Sequence, residues 1–250
     1  MITSDLHVHT IFCDGKNTPE DIVLTAIEKG LKRIGILAHS FIPFDEGVLI
    51  PTQKPQFVSE IKRLKSKYNG QIDVLCGLEQ DYFSEREYCF DGFDYKIGSV
   101  HFFKKDDKLY PIDLSEKTFI EAVDECFNGD YCLAFEKYFD IVSDVINKTN
   151  ADIIGHFDII TKFNKDNKFF DEQSPRYVTA YKKAVDKLLK HDKPFEINTG
   201  GISRGYKIQP YPSLQIIDYI KSKGGKLILS SDSHSKETLA FGFSEFEKFI

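Results

Sequence analysis

The sequence predicts an α/β fold in which seven parallel strands form a closed or nearly closed barrel. Three observations lead there. Short apolar, β-branched segments alternate with longer stretches of helical spacing. There are seven such segments, at Asp5–His9, Arg33–Ala38, Ile72–Leu78, Tyr95–Val100, Asp152–His156, Pro194–Asn198 and Lys226–Ser230. No glycine-rich phosphate loop follows the first of them, as a doubly wound open sheet would usually carry. The open sheet stays the alternative on pattern alone. The length of 250 residues matches the usual size of one α/β barrel, so a single domain spanning 1–250 is expected.

The helices follow from their end signals. Thr18-Pro19-Glu20-Asp21 offers a capping hydroxyl, a proline at the first helical position and acids at the positive end of the dipole. Gly30 stops that helix. Further helices are expected at Pro55–Tyr68, Ser115–Phe127, Phe135–Thr149, Pro175–His191 and Pro212–Lys223, with a terminal helix at Ser235–Phe249.

Composition narrows the class. With 41% hydrophobic and 29% charged residues the chain can bury a sizeable core. A net charge of −6 argues against a nucleic-acid surface, which needs a basic patch. It leaves room for a small anionic substrate, because bound divalent cations reverse the local field. No basic stretch leads into an apolar run at the N-terminus, and no run reaches the ~18–20 residues of a membrane span. A cytoplasmic protein with no membrane partner is expected. The five cysteines, Cys13, Cys76, Cys89, Cys126 and Cys132, form no CxxC pair and are expected as reduced thiols, with Cys13 a candidate neighbour of the site.

The chemistry lies in the histidines. Six of the seven, His7, His9, His39, His101, His156 and His234, stand at or just past the C-terminal end of an expected strand. In a parallel barrel those ends open on one face, so residues distant in sequence converge. Clustered imidazoles repel when protonated and are unsatisfied when buried alone; a divalent cation such as Zn, Fe or Mn removes both problems. His7 and His9 lie two apart on a strand and face the same side. Glu79 and Asp232 stand at matching strand ends, and Asp14 follows the first strand. Glu79 is the candidate bridge between cations. Asp158, in His156-Phe157-Asp158, is a candidate to orient a ligand from behind. His191 sits near a helix C-terminus, where the dipole favours it, and is set aside.

The ordered segments DLHVHT, AHS, GLEQ, GSVHF, GHFD and SDSH, from Asp5 to His234, resemble the polymerase-and-histidinol-phosphatase (PHP) family. The resemblance implies a distorted seven-stranded (β/α)7 TIM-like barrel with three divalent metal ions at its mouth. It implies His7, His9, Glu79 and Asp232 for the first metal, and Glu79, His101 and His156 for the second. For the third it implies Asp14, His39 and His234. Asp14 stands where many members have His, and Ala38 where many have an acid. Within the family the chain is most similar to the histidinol-phosphate phosphatases, on Glu196-Ile197-Asn198-Thr199-Gly200-Gly201-Ile202-Ser203-Arg204, Tyr211-Pro212-Ser213 and Lys162-Phe163.

That resemblance implies Arg204 and Lys162 as the grip on the substrate phosphate, for which a guanidinium fork is well suited. The expected reaction is hydrolysis of a phosphate monoester, L-histidinol phosphate foremost, in histidine biosynthesis. Hydroxide held between two metals would attack phosphorus in line, with Asp232 and a metal-bound water the candidates to protonate the leaving alcohol. Phe12, Phe41, Phe44, Tyr82, Glu116 and Tyr211 are candidates to hold the amino group and imidazole. The alternatives are a PHP-type phosphodiesterase, exonuclease or nucleotidase on the same centre, an amidohydrolase-type barrel, and a non-catalytic module. Glu79 stands where the second would carry a carboxylated lysine, and the third would have lost ligands that this chain keeps.

Overall fold

The computed structural model describes residues 3–85 and 92–250, so the expected Cys89 thiol lies outside the described residues. In chain order the strands and helices are β1 (Ser4–Val8), α1 (Pro19–Glu28), β2 (Arg33–His39), α2 (Lys54–Lys67), β3 (Asp73–Asp81) and β4 (Tyr95–Ser99). A hairpin follows, β5 (Phe102–Lys105) and β6 (Lys108–Pro111), then α3 (Glu116–Phe127), α4 (Tyr131–Val142) and α5 (Val145–Thr149). The chain continues through β7 (Ile153–Ile154), α6 (Pro175–Leu188), β8 (Phe195–Asn198), α7 (Gly200–Ser203), α8 (Leu214–Ser222), β9 (Leu227–Ser230) and α9 (Phe243–Phe246). No helix is long and apolar enough to cross a membrane among the described residues.

Seven strands pair in parallel in the order β1-β2-β3-β4-β7-β8-β9. Closure comes from an isolated parallel bridge between Val8 and Ser233. There the His9 amide donates to the Ser233 carbonyl at 2.8 Å and the Ser233 amide to the His7 carbonyl at 3.2 Å. The buried Asp5 carboxylate reinforces the seam by accepting from the Ser231 amide (3.1 Å), the Ser231 hydroxyl (2.6 Å) and the Ala240 amide (3.0 Å). With β7 only two residues long, the result is the distorted seven-stranded barrel.

Alternation along β2 explains the two layers. Ile34, Ile36 and Ala38 join Ile22, Val23 and Ala26 of α1 and Phe57, Ile61 and Leu64 of α2 in the outer core. Leu37 packs instead with Tyr95, Ile97 and Ile153 on the other face of the sheet. Opposite, α3–α6 and α8 enclose a core of phenyl rings that includes Phe119, Phe135, Tyr138, Phe139 and Tyr177. Tyr95 plugs the barrel: its hydroxyl donates to the Leu6 carbonyl at 2.5 Å. Gly35 and Gly77 leave the space for it, since a Cβ on Gly35 would lie 2.1 Å from the Tyr95 hydroxyl and one on Gly77 2.5 Å from its ring.

The Thr18 capping box forms as expected, with Asp21 at its third position. Two expectations are corrected, and one further element is added. The helix expected at Phe135–Thr149 is two helices, the first beginning earlier on the Asp130 cap and ending where Ser143 bonds back to the Asp140 carbonyl. The terminal helix expected at Ser235–Phe249 is short pieces, because Ala240 is drawn to Asp5, the Phe241 carbonyl accepts from Thr199, and Gly242 turns in the left-handed region. The β5–β6 hairpin went unread, although Asp106-Asp107 between FFKK and KLYP is a two-residue turn signal.

Gly35→Ala should lower stability by about 1–3 kcal/mol through overpacking, and removing the Tyr95 hydroxyl should relieve part of it. Denaturant unfolding of Gly35→Ala, Tyr95→Phe and the double variant checks this. Strictly additive losses would show that the two sites do not share the space.

Candidate metal centre

The strand ends bring the nine residues implied as ligands to one mouth. The β2–β3 register sets His39 directly opposite Glu79. Around the buried Glu79 carboxylate the imidazoles divide by oxygen. Oε2 faces His7 Nε2 (3.2 Å), His9 Nε2 (3.3 Å) and His39 Nδ1 (3.0 Å). Oε1 faces His101 Nε2 (3.2 Å) and His156 Nε2 (2.7 Å) and accepts from the Ser99 hydroxyl at 2.8 Å.

Three groups emerge. His7 and His9 present Nε2 atoms 3.1 Å apart, both within 3.6 Å of Asp232 Oδ1. His101 and His156 present Nε2 atoms 3.2 Å apart beside Glu79. Asp14 lies 3.0 Å from His234 Nε2 and 3.6 Å from His39 Nε2, with the His9 ring stacked between those of His39 and His234 at 4.3 Å from each.

This donor set fits divalent cations. Two facing ring nitrogens can share at most one proton, and the structure has two such pairs. Separations of 3.0–3.6 Å match the edges, about 3.4 Å, of a four-coordinate site with nitrogen and oxygen ligands near 2.1 Å. Two of the remaining ring nitrogens are held from behind. His9 Nδ1 lies 3.3 Å from Cys13 Sγ, and His101 Nδ1 lies 3.2 Å from Asp81 Oδ2, which also accepts the His101 amide at 2.9 Å.

Electrostatics agree. Burial pushes the Glu79 carboxyl up, but the charges of His7, His39 and His101 overcome it and hold its pKa well below the carboxylate range. Burial, then the charges of His234 and His39, lower His9 to about 3, leaving it a neutral ligand. Burial opposes charge on His101, yet the Glu79 carboxylate raises it to about 10. The carboxylates thus call for positive charge that imidazolium protons supply and that cations would replace.

The cluster opens into a cavity of about 800 Å³, lined also by Arg204 and Lys162. Arg204 Nη2 donates to Asp232 Oδ2 at 2.9 Å and Nη1 to the Asp232 carbonyl at 2.9 Å. A Cβ on Gly200 would lie 2.7 Å from that guanidinium and 2.8 Å from Asp232 Oδ2, so only glycine permits the approach. Asp232 holds a left-handed φ of 49°, a strained turn of the kind found at functional sites. Lys162 Nζ donates to the Asp113 carbonyl at 2.6 Å and pairs with its carboxylate at 3.5 Å.

Other expectations are redirected. The Asp158 carboxylate accepts from the Ser213 amide at 3.0 Å and does not orient His156, whose Nδ1 has no partner. Of the six candidates for the rest of the substrate only Phe44 lines the cavity. Phe12 packs on Phe57, Tyr82 bonds Asp144, Glu116 pairs with Lys168, and Tyr211 is buried. Phe102, Asp113, Leu114 and Tyr206 line it instead. They come from the unread hairpin, the segment after it and the loop after α7. Asp81 was also missed; its spacing, two after Glu79 on the same strand, was the available signal.

Known proteins resemble this chain in sequence and fold. The histidinol-phosphatase of Bacillus subtilis is 25% identical over 268 residues, spanning 98% of this chain and 98% of that one. The hisK protein of Listeria monocytogenes has the same fold, with a TM-score of 0.87 at 22% identity over 97% of this chain and 99% of that one. So does the histidinol phosphate phosphatase of Lactococcus lactis, solved with Zn, L-histidinol and phosphate, at a TM-score of 0.73 and 22% identity over 99% of this chain and 93% of that one. The PHP domain itself matches residues 5–200, more than half of the chain, and the protein belongs to the PHP domain family.

Proposed function

We propose that this chain is a single PHP-type barrel over residues 1–250 that hydrolyses L-histidinol phosphate to L-histidinol and phosphate in the cytoplasm. The observation that carries the reading is the Glu79 carboxylate faced by five imidazoles at a cavity that also holds Arg204 and Lys162. The name of the Bacillus subtilis relative and the ligands of the Lactococcus lactis structure support the substrate. The four described cysteines are free thiols, in keeping with a reducing compartment.

Three divalent ions, drawn from Zn, Fe and Mn, would be held by His7, His9, Glu79 and Asp232; by Glu79, His101 and His156; and by Asp14, His39 and His234. When bound, they supply charge that neutralises the phosphoryl oxygens and lowers the pKa of water. The chain's own side chains do the rest. Arg204 and Lys162 orient the phosphate and add fixed positive charge. Burial raises the Asp232 carboxyl, but the charges of Arg204, His7 and His234 prevail and keep it ionised. As the ionised carboxylate beside the phosphate grip, Asp232 is the acceptor we assign to the proton of the attacking water, which it would pass to the leaving alcohol. Attack is direct, with no phosphoenzyme.

A substrate panel tests the reading: turnover of L-histidinol phosphate should exceed that of AMP, a bis-aryl phosphodiester and a generic aryl phosphate. Preference for the diester or the nucleotide would move the chain to the phosphodiesterase or nucleotidase alternative. Exhaustive chelation should abolish activity, Zn, Mn or Fe should restore it, and metal analysis of the restored enzyme should return three ions per chain. Full activity in chelator would remove the metal role. Arg204→Ala should cut kcat/KM about 100-fold, the scale of losing one positioned transition-state donor. Unchanged metal content alongside that loss assigns it to phosphate binding, and kcat/KM at the wild-type value would exclude it.

A further inference from the structure

Glu196 belongs to none of the three ligand groups and touches two of them. It sits in β8, fully buried, with both oxygens engaged. Oε1 lies 2.6 Å from His7 Nδ1. Oε2 accepts the His156 amide at 2.9 Å and the Asn198 side-chain amide at 3.3 Å. β1 pairs with β2 and bridges the segment after β9, not β8, so the reach to His7 crosses the barrel interior outside any ladder. A carboxylate at Nδ1 holds the proton there and so reserves Nε2, which faces His9, Glu79 and Asp232, for a cation. The same carboxylate fixes the backbone from which the His156 ring projects to Glu79 Oε1.

We infer that Glu196 is a positioning residue that couples two cation sites, by orienting His7 of one and His156 of the other with a single buried carboxylate. This rests on the metal centre proposed above. The two groups it holds, His7 Nδ1–H and the His156 amide, are both donors, so they require two acceptor oxygens. Glutamine has one acceptor and one donor, and satisfies one group while opposing the other. Aspartate keeps the charge and loses the reach of one methylene. The third group, Asp14, His39 and His234, makes no contact with Glu196 and stays independent of it.

The test is zinc titration of wild type, Glu196→Gln and Glu196→Asp against a chromophoric chelator, with melting of each chelated protein. Both variants are expected to weaken two of the three zinc ions by about 10–100-fold and to retain the third. Each chelated variant should still unfold cooperatively, at a melting temperature lowered by the buried hydrogen bond it loses, while the zinc loss stays confined to two ions, a selectivity that a purely structural residue would not produce. If Glu196→Gln does not fold, the aspartate variant carries the same expectation. Wild-type zinc affinity in both variants overturns the inference, as does uniform weakening of all three ions. Loss of the fold in chelator by both also overturns it, because Glu196 would then serve the barrel alone. A wild-type protein that takes up no zinc overturns the metal centre itself, a result distinct from equal binding by wild type and variants.

Discussion

One carboxylate organises this mouth. Glu79 lies on β3, and imidazoles from four other strand ends converge on its two oxygens, His7, His9 and His39 on one and His101 and His156 on the other. A buried anion without such company would be neutralised by proton uptake. A ring of buried imidazoles without it would carry unopposed charge. Each makes the other tenable, and the pair demands cations. The barrel is the scaffold that delivers five side chains to one point within hydrogen-bonding range.

That delivery depends on closing the sheet. The Val8–Ser233 bridge and the Asp5 carboxylate join the end of the last strand to the first. The residues flanking the seam belong to the proposed ligand set: His7 and His9 on one side, Asp232 and His234 on the other. The distortion of the barrel therefore falls beside the metal mouth rather than away from it. Arg204 spans the same region by binding both the carboxylate and the carbonyl of Asp232, so the strained turn there is held from two directions. Tyr95, at the other end of the interior, fills the space that the glycines of β2 and β3 leave open.

Much of this was legible in the residues. Histidine is rare enough that six at strand ends point to a shared purpose, and the helix-start signal at Thr18 was local and correct. What was not legible shares a cause. The break between α4 and α5 leaves the apolar pattern intact, and the terminal segment is pulled out of helix by bonds to Asp5 and Thr199 far away in the chain. The cavity wall was misread for the same reason. Phe12 and Tyr211 are aromatic residues near the motifs in sequence, but packing turns them into the core, while the hairpin and its following segment supply Phe102, Asp113 and Leu114.

The sequence by itself determined the alternation of strands and helices, the strand ends at which chemistry gathers, and the ligand types found there, because periodicity and residue chemistry are local properties. Only the tertiary structure decided which nitrogen faces which oxygen, that Asp158 serves Ser213 instead of His156, and that Glu196 stands behind His7 and His156 together. Those contacts join residues on different elements, 189 positions apart for His7 and Glu196, and their distances exist only once the barrel has closed.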